Sequence, residues 1–402
     1  MTVAATLEAI LRRDRGRLLA ALIARTGDFQ RAEDALQEAA ASALIHWGRS
    51  GLPARPEGWL LRVALRKAID GYRRARRAED QAAAMALLAE EEAKVADALD
   101  EGAEIPDERL RLIFTCCHPA LEAKTQVALT LRTLCGLSTA EVAAAFLDAE
   151  PTMGQRLSRG RAKIARAGIA FRVPGPEEWP ARLGAVLATI YLIYTTGYRQ
   201  RQACGRDLCA EAIFLARLLN DLAPDQVAVE GCLSLLLVTQ SRALARVSPE
   251  GETVPPAAQD RSLWSPALWR EAMAWLERAV ARRQPEPFQI KAAIAFAQME
   301  RPPAWAEALR LYDALLIHEP TPVVRLNRAV VLAETGDVAG ALDEVEALAL
   351  SDYQPWHVVR ADLLARLGRG GESRRAYAQA IALASDPADV SFLIKRQAAL
   401  PA

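Results

Sequence analysis

Almost every segment of this chain repeats its apolar residues at the period of an α-helix, and this constrains the fold more than any other feature. Ala, Leu and Arg dominate the sequence, whereas runs of the β-favouring residues Val, Ile, Thr and Tyr are scarce. The chain has 402 residues, of which 51% are apolar, and this is enough to fill two or three cores. We therefore expect an all-α protein of several domains.

The composition argues against a membrane or secreted protein. No run of about 18 uncharged apolar residues occurs, and Arg12, Arg13 and Asp14 interrupt the short apolar run near the start, so we expect no signal peptide. None of the six cysteines forms a CxxC pair. Cys116, Cys117 and His118 are adjacent, and we expect buried side chains there rather than a metal site, because two further ligands are lacking. We expect a cytoplasmic protein without a membrane partner.

The formal net charge is zero, but the charges are strongly segregated. Residues 55–77 carry eight basic and two acidic side chains, and residues 152–172 carry six basic side chains and no acidic one. Residues 79–108, between them, carry eleven acidic side chains and one basic. Two basic patches on separate helical units suggest a polyanion that is contacted at two places, although for either patch alone a solvated surface is the preferred interpretation.

One helix begins at Asp28, which is suited to the N-cap position, and Phe29 starts its apolar face. The opposite face carries Asp34, Gln37 and Glu38. An exposed polar face of this kind can pair with a basic coiled coil, or it can serve solubility alone.

A second strong helix is predicted from Glu57 to Arg77. The residues that its period directs to the core are Trp59, Leu60 and Val63. The arginines that share a sector of about 60° on its surface are Arg62, Arg66, Arg73 and Arg77. This helix is amphipathic with a basic stripe.

Residues 136–164 have the pattern of a helix-turn-helix. Ser138 and Glu141 form a capping box at the start of the first helix, and Pro151 stands near the start of the second. The apolar residues that point inward from the second helix are Met153, Leu157 and Ile164. The residues that point outward are Thr152, Gln155, Arg156 and Arg159. Such a helix fits the major groove of DNA, where Arg pairs with guanine and Gln with adenine.

The last third of the chain repeats at a period near 33 residues, in segments 305–316, 331–348 and 363–381. The residues at equivalent small positions are Ala308, Ala341 and Ser373, and those at equivalent bulky positions are Tyr312, Val345 and Tyr377. Gly336 and Gly368 occupy equivalent turns between helices. This spacing predicts helical hairpins of the tetratricopeptide (TPR) type.

These motifs together resemble a known family. Residues 10–172 look like a bacterial RNA polymerase sigma factor of the extracytoplasmic-function type. Residues 31–39 resemble the region 2 helix that docks on the polymerase clamp, and residues 56–77 resemble the helix that melts and reads the minus-ten element. Residues 136–164 resemble the region 4 helix-turn-helix that reads the minus-thirty-five element. The segments that resemble the subgroup with a C-terminal TPR-like extension are FTCCHPAL, at 114–121, AFRVP, at 170–174, and the long helical tail.

The resemblance implies an all-α chain in four parts. These are a sigma region 2 domain over 8–78, an acidic linker over 79–107, a region 4 helix-turn-helix domain over 108–172 and a TPR-like helical-hairpin array over 177–402. In that subgroup the extension is thought to control activity. The short join at Pro174–Gly175–Pro176 leads us to expect that the array packs on regions 2 and 4 and sets their spacing.

The resemblance also implies partners and residue roles. The partners are bacterial core RNA polymerase and promoter DNA, with a protein or ligand partner for the extension. The residues that would bind core polymerase are Asp34, Gln37 and Glu38. Those that would bind DNA are Arg62, Arg66, Lys67, Arg73, Arg74, Thr152, Gln155, Arg156 and Arg159. The residues expected to contact phosphates or solvent are Arg161, Lys163 and Arg166.

No pattern in the sequence indicates an enzyme. We find no glycine-rich phosphate loop and no HExxH motif, and none of the four histidines stands at metal or triad spacing. We therefore expect no catalytic residue, cofactor or metal, and a cytoplasmic protein that joins the nucleoid when bound to polymerase. The alternative is a helix-turn-helix transcription regulator joined to a TPR interaction scaffold.

Overall fold

The computed structural model describes residues 2–75, 107–146, 148–199, 207–246, 248, 254, 258–384 and 387–400. Over these ranges the chain forms helices and turns and no β-strand, which confirms the all-α prediction. It divides into two compact units, Met1–Ala223 and Pro224–Ala402. The acidic segment predicted as a linker lies, apart from Asp107, outside the described residues. None of the described helices combines the length and the apolar character needed to span a bilayer.

The described part of the first unit contains nine α-helices. They are α1 (Val3–Thr26), α2 (Phe29–Ser50), α3 (Pro56–Ala75), α4 (Arg109–Cys116), α5 (Ala123–Thr133), α6 (Thr139–Phe146), α7 (Glu150–Arg166), α8 (Trp179–Arg199) and α9 (Leu208–Leu222).

Helices α1, α2 and α3 pack on one another around a leucine-rich core. Asp28 caps α2 as predicted, because its side chain accepts a hydrogen bond from the Arg31 backbone N–H at 3.1 Å. In α3, Leu60 is fully buried. Trp59 and Val63 are only half-buried, so the prediction that both point into the core is corrected. The Trp59 ring lies at the edge of the core, where it stacks on exposed His46 at 5.5 Å.

Helices α6 and α7 form the predicted helix-turn-helix. The capping box is confirmed: the Ser138 N–H donates to Glu141 Oε2 at 2.6 Å, and the Glu141 N–H donates to Ser138 Oγ at 3.1 Å. The apolar side of α7 is buried, with Met153 and Leu157 fully enclosed. Gly160 lies so close to Thr125 of α5 that a side chain there would collide with it. These contacts fix α7 with its opposite side outward.

Helix α8 packs against α4 and α5 and buries the side chains on that side of both helices. The Trp179 ring packs on Phe114 at 5.1 Å, and the Arg182 guanidinium donates to the Phe114 carbonyl at 2.6 Å. The Thr189 hydroxyl donates to Gln126 Oε1 at 3.3 Å. Helices α8 and α9 therefore belong to the first unit, although they follow the join at residues 174–176.

The adjacent cysteines are buried, as the sequence predicted. Cys116 Sγ lies 3.3 Å from the Thr133 hydroxyl, and Cys117 Sγ lies 3.5 Å from that of Thr130. Burial raises the pKa of both thiols. His118 Nδ1 accepts a hydrogen bond from a backbone N–H at 3.1 Å. Among the residues that the structure describes, no group of three His, Cys, Asp or Glu side chains is placed to hold a metal ion.

The described part of the second unit contains a further nine α-helices. They are α10 (Val227–Ser241), α11 (Pro266–Ala281), α12 (Pro287–Met299), α13 (Trp305–His318), α14 (Pro322–Glu334), α15 (Val338–Glu346), α16 (Gln354–Arg366), α17 (Gly370–Leu383) and α18 (Pro387–Ala398). Two short 3₁₀ turns, Ala243–Ala245 and Arg261–Leu263, lie between α10 and α11.

The helices from α13 onward repeat at the predicted period. Alternate helices start at Trp305, Val338 and Gly370. The small residues predicted at equivalent positions, Ala308, Ala341 and Ser373, are all fully buried. Gly336 and Gly368 sit in turns with φ of 108° and 76°, values that favour glycine. The structure thus shows consecutive helical pairs, and their assignment to the TPR class remains a prediction.

Candidate nucleic-acid and polymerase interface

The outward face of α7 carries the side chains expected to contact DNA. Thr152, Gln155 and Arg159 are exposed. Arg156 is half-buried, because its guanidinium pairs with Asp148 Oδ2 at 2.5 Å and lies 5.9 Å from the centre of the Phe146 ring. The structure therefore brings all four predicted residues to one face, and it adds Asp148 as an anionic neighbour that the sequence analysis did not identify.

The surface of α3 holds the other basic candidates. Arg66 is exposed, and Arg62 and Lys67 are half-buried. The Lys67 ammonium lies 3.8 Å from Glu38 Oε2 of α2, so a candidate DNA contact is paired with a candidate polymerase contact. Arg73 and Arg74 lie in the last turns of α3, where the structure describes the backbone alone, and the prediction for Arg77 falls outside the described residues.

The outer face of α2 is the third candidate surface. Asp34, Gln37 and Glu38 are exposed, as predicted from the helical period. The same face continues toward the C-terminal end of α2 with Leu44 and Ile45, which are 48% and 61% exposed. These two apolar side chains extend the polar surface with apolar area that a protein partner could cover. The polar half of this surface was predicted from the sequence, whereas the apolar half was not.

A buried charge cluster lies where the apolar and polar sides of α2 meet, and it was not predicted from the sequence. Glu33 is 2% exposed, and its carboxylate accepts hydrogen bonds from Arg15 of α1 at 2.8 Å and from Arg161 of α7. Arg132 of α5 forms an ion pair with the same carboxylate at 3.1 Å. Burial, with the positive charges of Arg132 and Arg161, lowers the pKa of Arg15, and Glu33 partly offsets this.

This cluster changes the role expected for Arg161. The sequence suggested that Arg161 contacts phosphates or solvent, but its side chain is only 16% exposed and is paired with Glu33. At about 100° per residue it lies on the opposite side of α7 from Thr152. Lys163 and Arg166 are exposed, as expected.

Comparisons with known proteins agree with this organisation. Residues 10–78 match the Sigma-70 region 2 family, and residues 111–164 match the Sigma-70, region 4 family. Residues 182–280 match a family of unknown function, DUF6596. These three matches follow one another in the order in which the motifs were found.

One relative extends over almost the whole chain. It is a protein of Rhizobium meliloti (strain 1021), named uncharacterized protein R00370, and it is 40% identical over 390 residues, which cover 94% of this chain and 92% of the relative. No solved structure matches. The sigma-70 domains make the chain a sigma factor with a DNA-binding helix-turn-helix that serves transcription initiation. The chain belongs to the sigma-70 family of the extracytoplasmic-function type, with regions 2 and 4 followed by a C-terminal extension.

Proposed function

We propose that this protein is an alternative sigma factor that binds core RNA polymerase, directs it to specific promoters and is modulated by its C-terminal extension. The observation that carries the proposal is that the polar faces of α2 and α7, which lie in the region 2 and region 4 matches, are exposed. The protein would act by binding alone, so we propose no chemical reaction for it. It would work in the cytoplasm, at the nucleoid when bound to polymerase.

Polymerase binding is assigned to the outer face of α2. Asp34, Gln37 and Glu38 offer an acidic, amide-bearing surface to a basic partner, and Leu44 and Ile45 offer apolar area beside it. Charged rims chiefly steer association, whereas desolvated apolar side chains supply most of the affinity. We therefore expect both halves of the face to contribute, by different mechanisms.

Promoter binding is assigned to α3 and α7. Arg62, Arg66, Lys67, Arg73 and Arg74 on α3 would hold the backbone of the opened minus-ten strand, because cationic grooves next to aromatic rings are suited to single strands. The half-buried Trp59 ring supplies such an aromatic neighbour.

The residues of α7 that would contact the minus-thirty-five duplex are Thr152, Gln155, Arg156 and Arg159. Gln and Arg can each form two hydrogen bonds with one base in the major groove, with adenine and guanine respectively. Asp148 restrains Arg156, so we assign the largest direct contribution to Arg159 and Gln155.

The extension is assigned a regulatory role, and its repeated helical pairs suit a protein or ligand partner. We propose the boundaries 8–78 for region 2, 79–107 for the linker, 108–172 for region 4 and 177–402 for the extension. The first two helices of that extension, α8 and α9, are packed into the first unit.

The decisive experiment is run-off transcription with purified bacterial core polymerase and DNA from upstream of the protein's own gene. We expect initiation from a defined start site. We also expect Asp34→Lys with Glu38→Lys to reduce co-purification with core polymerase at least tenfold. Glu177→Lys, an exposed change elsewhere in the first unit, is the matched control. Failure of both transcription and core binding would favour the alternative, a helix-turn-helix regulator with an interaction scaffold.

A further inference from the structure

Arg156 differs from the other residues on the outward face of α7 because its side chain is held in place. Its Nη1 donates to Asp148 Oδ2 at 2.5 Å, and its guanidinium lies 5.9 Å from the centre of the Phe146 ring. The side chain of Arg156 is 21% exposed, whereas Gln155 and Arg159 are exposed residues. One carboxylate and one ring therefore fix the arginine in the middle of this face.

Asp148 is itself fixed, in the turn between α6 and α7. Its backbone N–H donates to the Ala143 carbonyl of α6 at 2.9 Å. On the other side of the turn, the N–H of Met153 donates to the Ala149 carbonyl at 3.1 Å, and the Met153 side chain is fully enclosed. The backbone that carries the carboxylate is thus tied to both helices, so Arg156 keeps its partner only by staying near the turn.

The ion pair leaves Arg156 able to contact a base. A guanidinium has five N–H donors, and among the described residues the hydrogen bond from Arg156 to Asp148 uses Nη1 alone. Guanine accepts two hydrogen bonds from an arginine, at O6 and N7 of its major-groove edge. A guanidinium whose orientation is already fixed loses little conformational freedom when it forms such a contact. Arg156 is thus oriented in advance for one direction of approach.

Asp148 also changes the charge that this face presents to DNA. Residues 152–172 carry six basic side chains and no acidic one. A free arginine on such a face binds any phosphate within reach, which raises the affinity for every DNA sequence. The Asp148 carboxylate neutralises Arg156 and repels phosphates, so it opposes this sequence-independent binding. A carboxylate that weakens overall DNA binding and orients one arginine favours selectivity over affinity.

We propose that Asp148 is a positioning residue that makes Arg156 a reader of one base rather than a phosphate contact. The inference rests on the proposed function and concerns the sequence specificity of the same surface. Gln155 and Arg159, which are exposed, then supply most of the affinity, and Arg156 supplies a sequence requirement. The base expected opposite Arg156 is guanine, because its O6 and N7 atoms match the guanidinium.

The test compares the full wild-type chain with Asp148→Asn in two DNA-binding measurements that require no known promoter. Fluorescence anisotropy with a short duplex of mixed sequence, at several salt concentrations, reports sequence-independent binding. Selection from random-sequence duplexes, followed by sequencing, reports the base preference at each position. For Asp148→Asn we expect about three- to tenfold tighter binding to the mixed duplex and a salt slope steeper by about 0.9, because Arg156 gains a phosphate contact. We expect the preference for one guanine to fall at least about fivefold.

Further variants show whether Asp148 acts through Arg156. Asp148→Glu keeps the carboxylate and should keep the preference. Arg156→Gln should lose the preference for the same guanine, and adding Asp148→Asn to it should leave the remaining preferences unchanged. Glu150→Gln removes an exposed carboxylate from the first turn of α7 without touching the ion pair, so this matched control should keep the preference. Asp148→Ala takes the place of Asp148→Asn if circular dichroism shows that the latter does not fold.

The inference is overturned if folded Asp148→Asn keeps the wild-type preference at every position. It is also overturned if Asp148→Asn alters the preferences equally in the Arg156→Gln background, because Asp148 would then act without Arg156. A wild-type protein that binds duplexes with no base preference would overturn it as well. Absence of duplex binding by every variant, alone and with core polymerase, would instead contradict the proposed function on which the inference rests.

Discussion

In the described part of each unit one carboxylate is buried among arginines, and the two clusters differ in where the arginines come from. Glu33 in the first unit is bound by arginines of α1, α5 and α7. Glu230 in the second unit is fully buried and is bound by Arg278 at 3.3 Å and Arg282 at 3.0 Å, which lie on or directly after the neighbouring helix α11.

The charge count differs as well. At Glu230 a second carboxylate, that of Asp225, pairs with Arg282, so two negative groups face two positive ones. At Glu33, within the part of the chain that the structure describes, one negative group faces three positive ones. The Glu230 cluster joins neighbouring helices, whereas the Glu33 cluster joins segments that are far apart in the sequence. Removing one partner should therefore loosen a local helix pair in the second unit and a long-range contact in the first.

The largest expected effect tests where the first unit ends. A chain that stops at residue 223 should fold, whereas one that stops at residue 176 should aggregate, because it exposes Phe114 and the apolar surface that α8 covers. Each large apolar side chain left exposed costs about 1.5–3 kcal/mol, and a few of them equal the whole stability of a domain, about 5–15 kcal/mol. Thermal unfolding and size-exclusion chromatography of both chains check this. Equal behaviour would show that α8 is dispensable to the first unit.

The next effect tests the balanced cluster. Replacing both Arg278 and Arg282 by Met leaves the Glu230 carboxylate buried without its cations, and we expect the Tm of the second unit to fall by about 10 °C. Arg270→Met, an exposed change on the same helix, is the control. Differential scanning calorimetry measures both. A double variant as stable as the control would show that the cluster does not stabilise the second unit.

A smaller effect separates the two faces of α7. Arg159→Ala should weaken binding to the cognate minus-thirty-five duplex by about 1–3 kcal/mol and reduce the salt dependence, because Arg159 is on the outward face. Arg161→Ala should leave the affinity for that duplex unchanged, because Arg161 points to Glu33. Fluorescence anisotropy at several salt concentrations distinguishes them. Equal losses for both variants would contradict the division of α7 into two faces.

The smallest expected effect concerns the buried thiols, which should react in the same way in both units. Burial raises the pKa of Cys116 and Cys117 in the first unit, and raises that of Cys232 in the second unit to about 12. These thiols should resist alkylation at pH 8 until the protein is unfolded, as mass spectrometry can show. An unfolded thiol ionises near pH 8.5, so the free energy of unfolding should fall as the pH rises above that value. Rapid alkylation in the native protein would indicate local opening.

The helices and the helix-turn-helix were predictable because their signals are local. Asp28, Ser138 and Glu141 are within three residues of the backbone groups that they cap. The exposure of Asp34 and Glu38 followed from the helical period alone.

The Glu33 cluster could not be predicted in the same way. Glu33 lies at the edge of the apolar side of α2, one turn after buried Phe29 and one turn before exposed Gln37, so its burial could not be read from the helical period. Its partner Arg161 is 128 residues away in the sequence. No local pattern links two residues so far apart, and the same limit hid the contact of α8 with Phe114 and Gln126.

The second unit, with its repeated turns at Gly336 and Gly368, is expected to unfold in steps. In such an array each helical pair is supported only by its neighbours. Among the described helices, α18 packs chiefly on α17, and Arg396 forms an ion pair with Asp362 of α16. Amide hydrogens should therefore exchange first in α18 and progressively later toward α12. That order would show that the second unit unfolds one helical pair at a time, starting from α18.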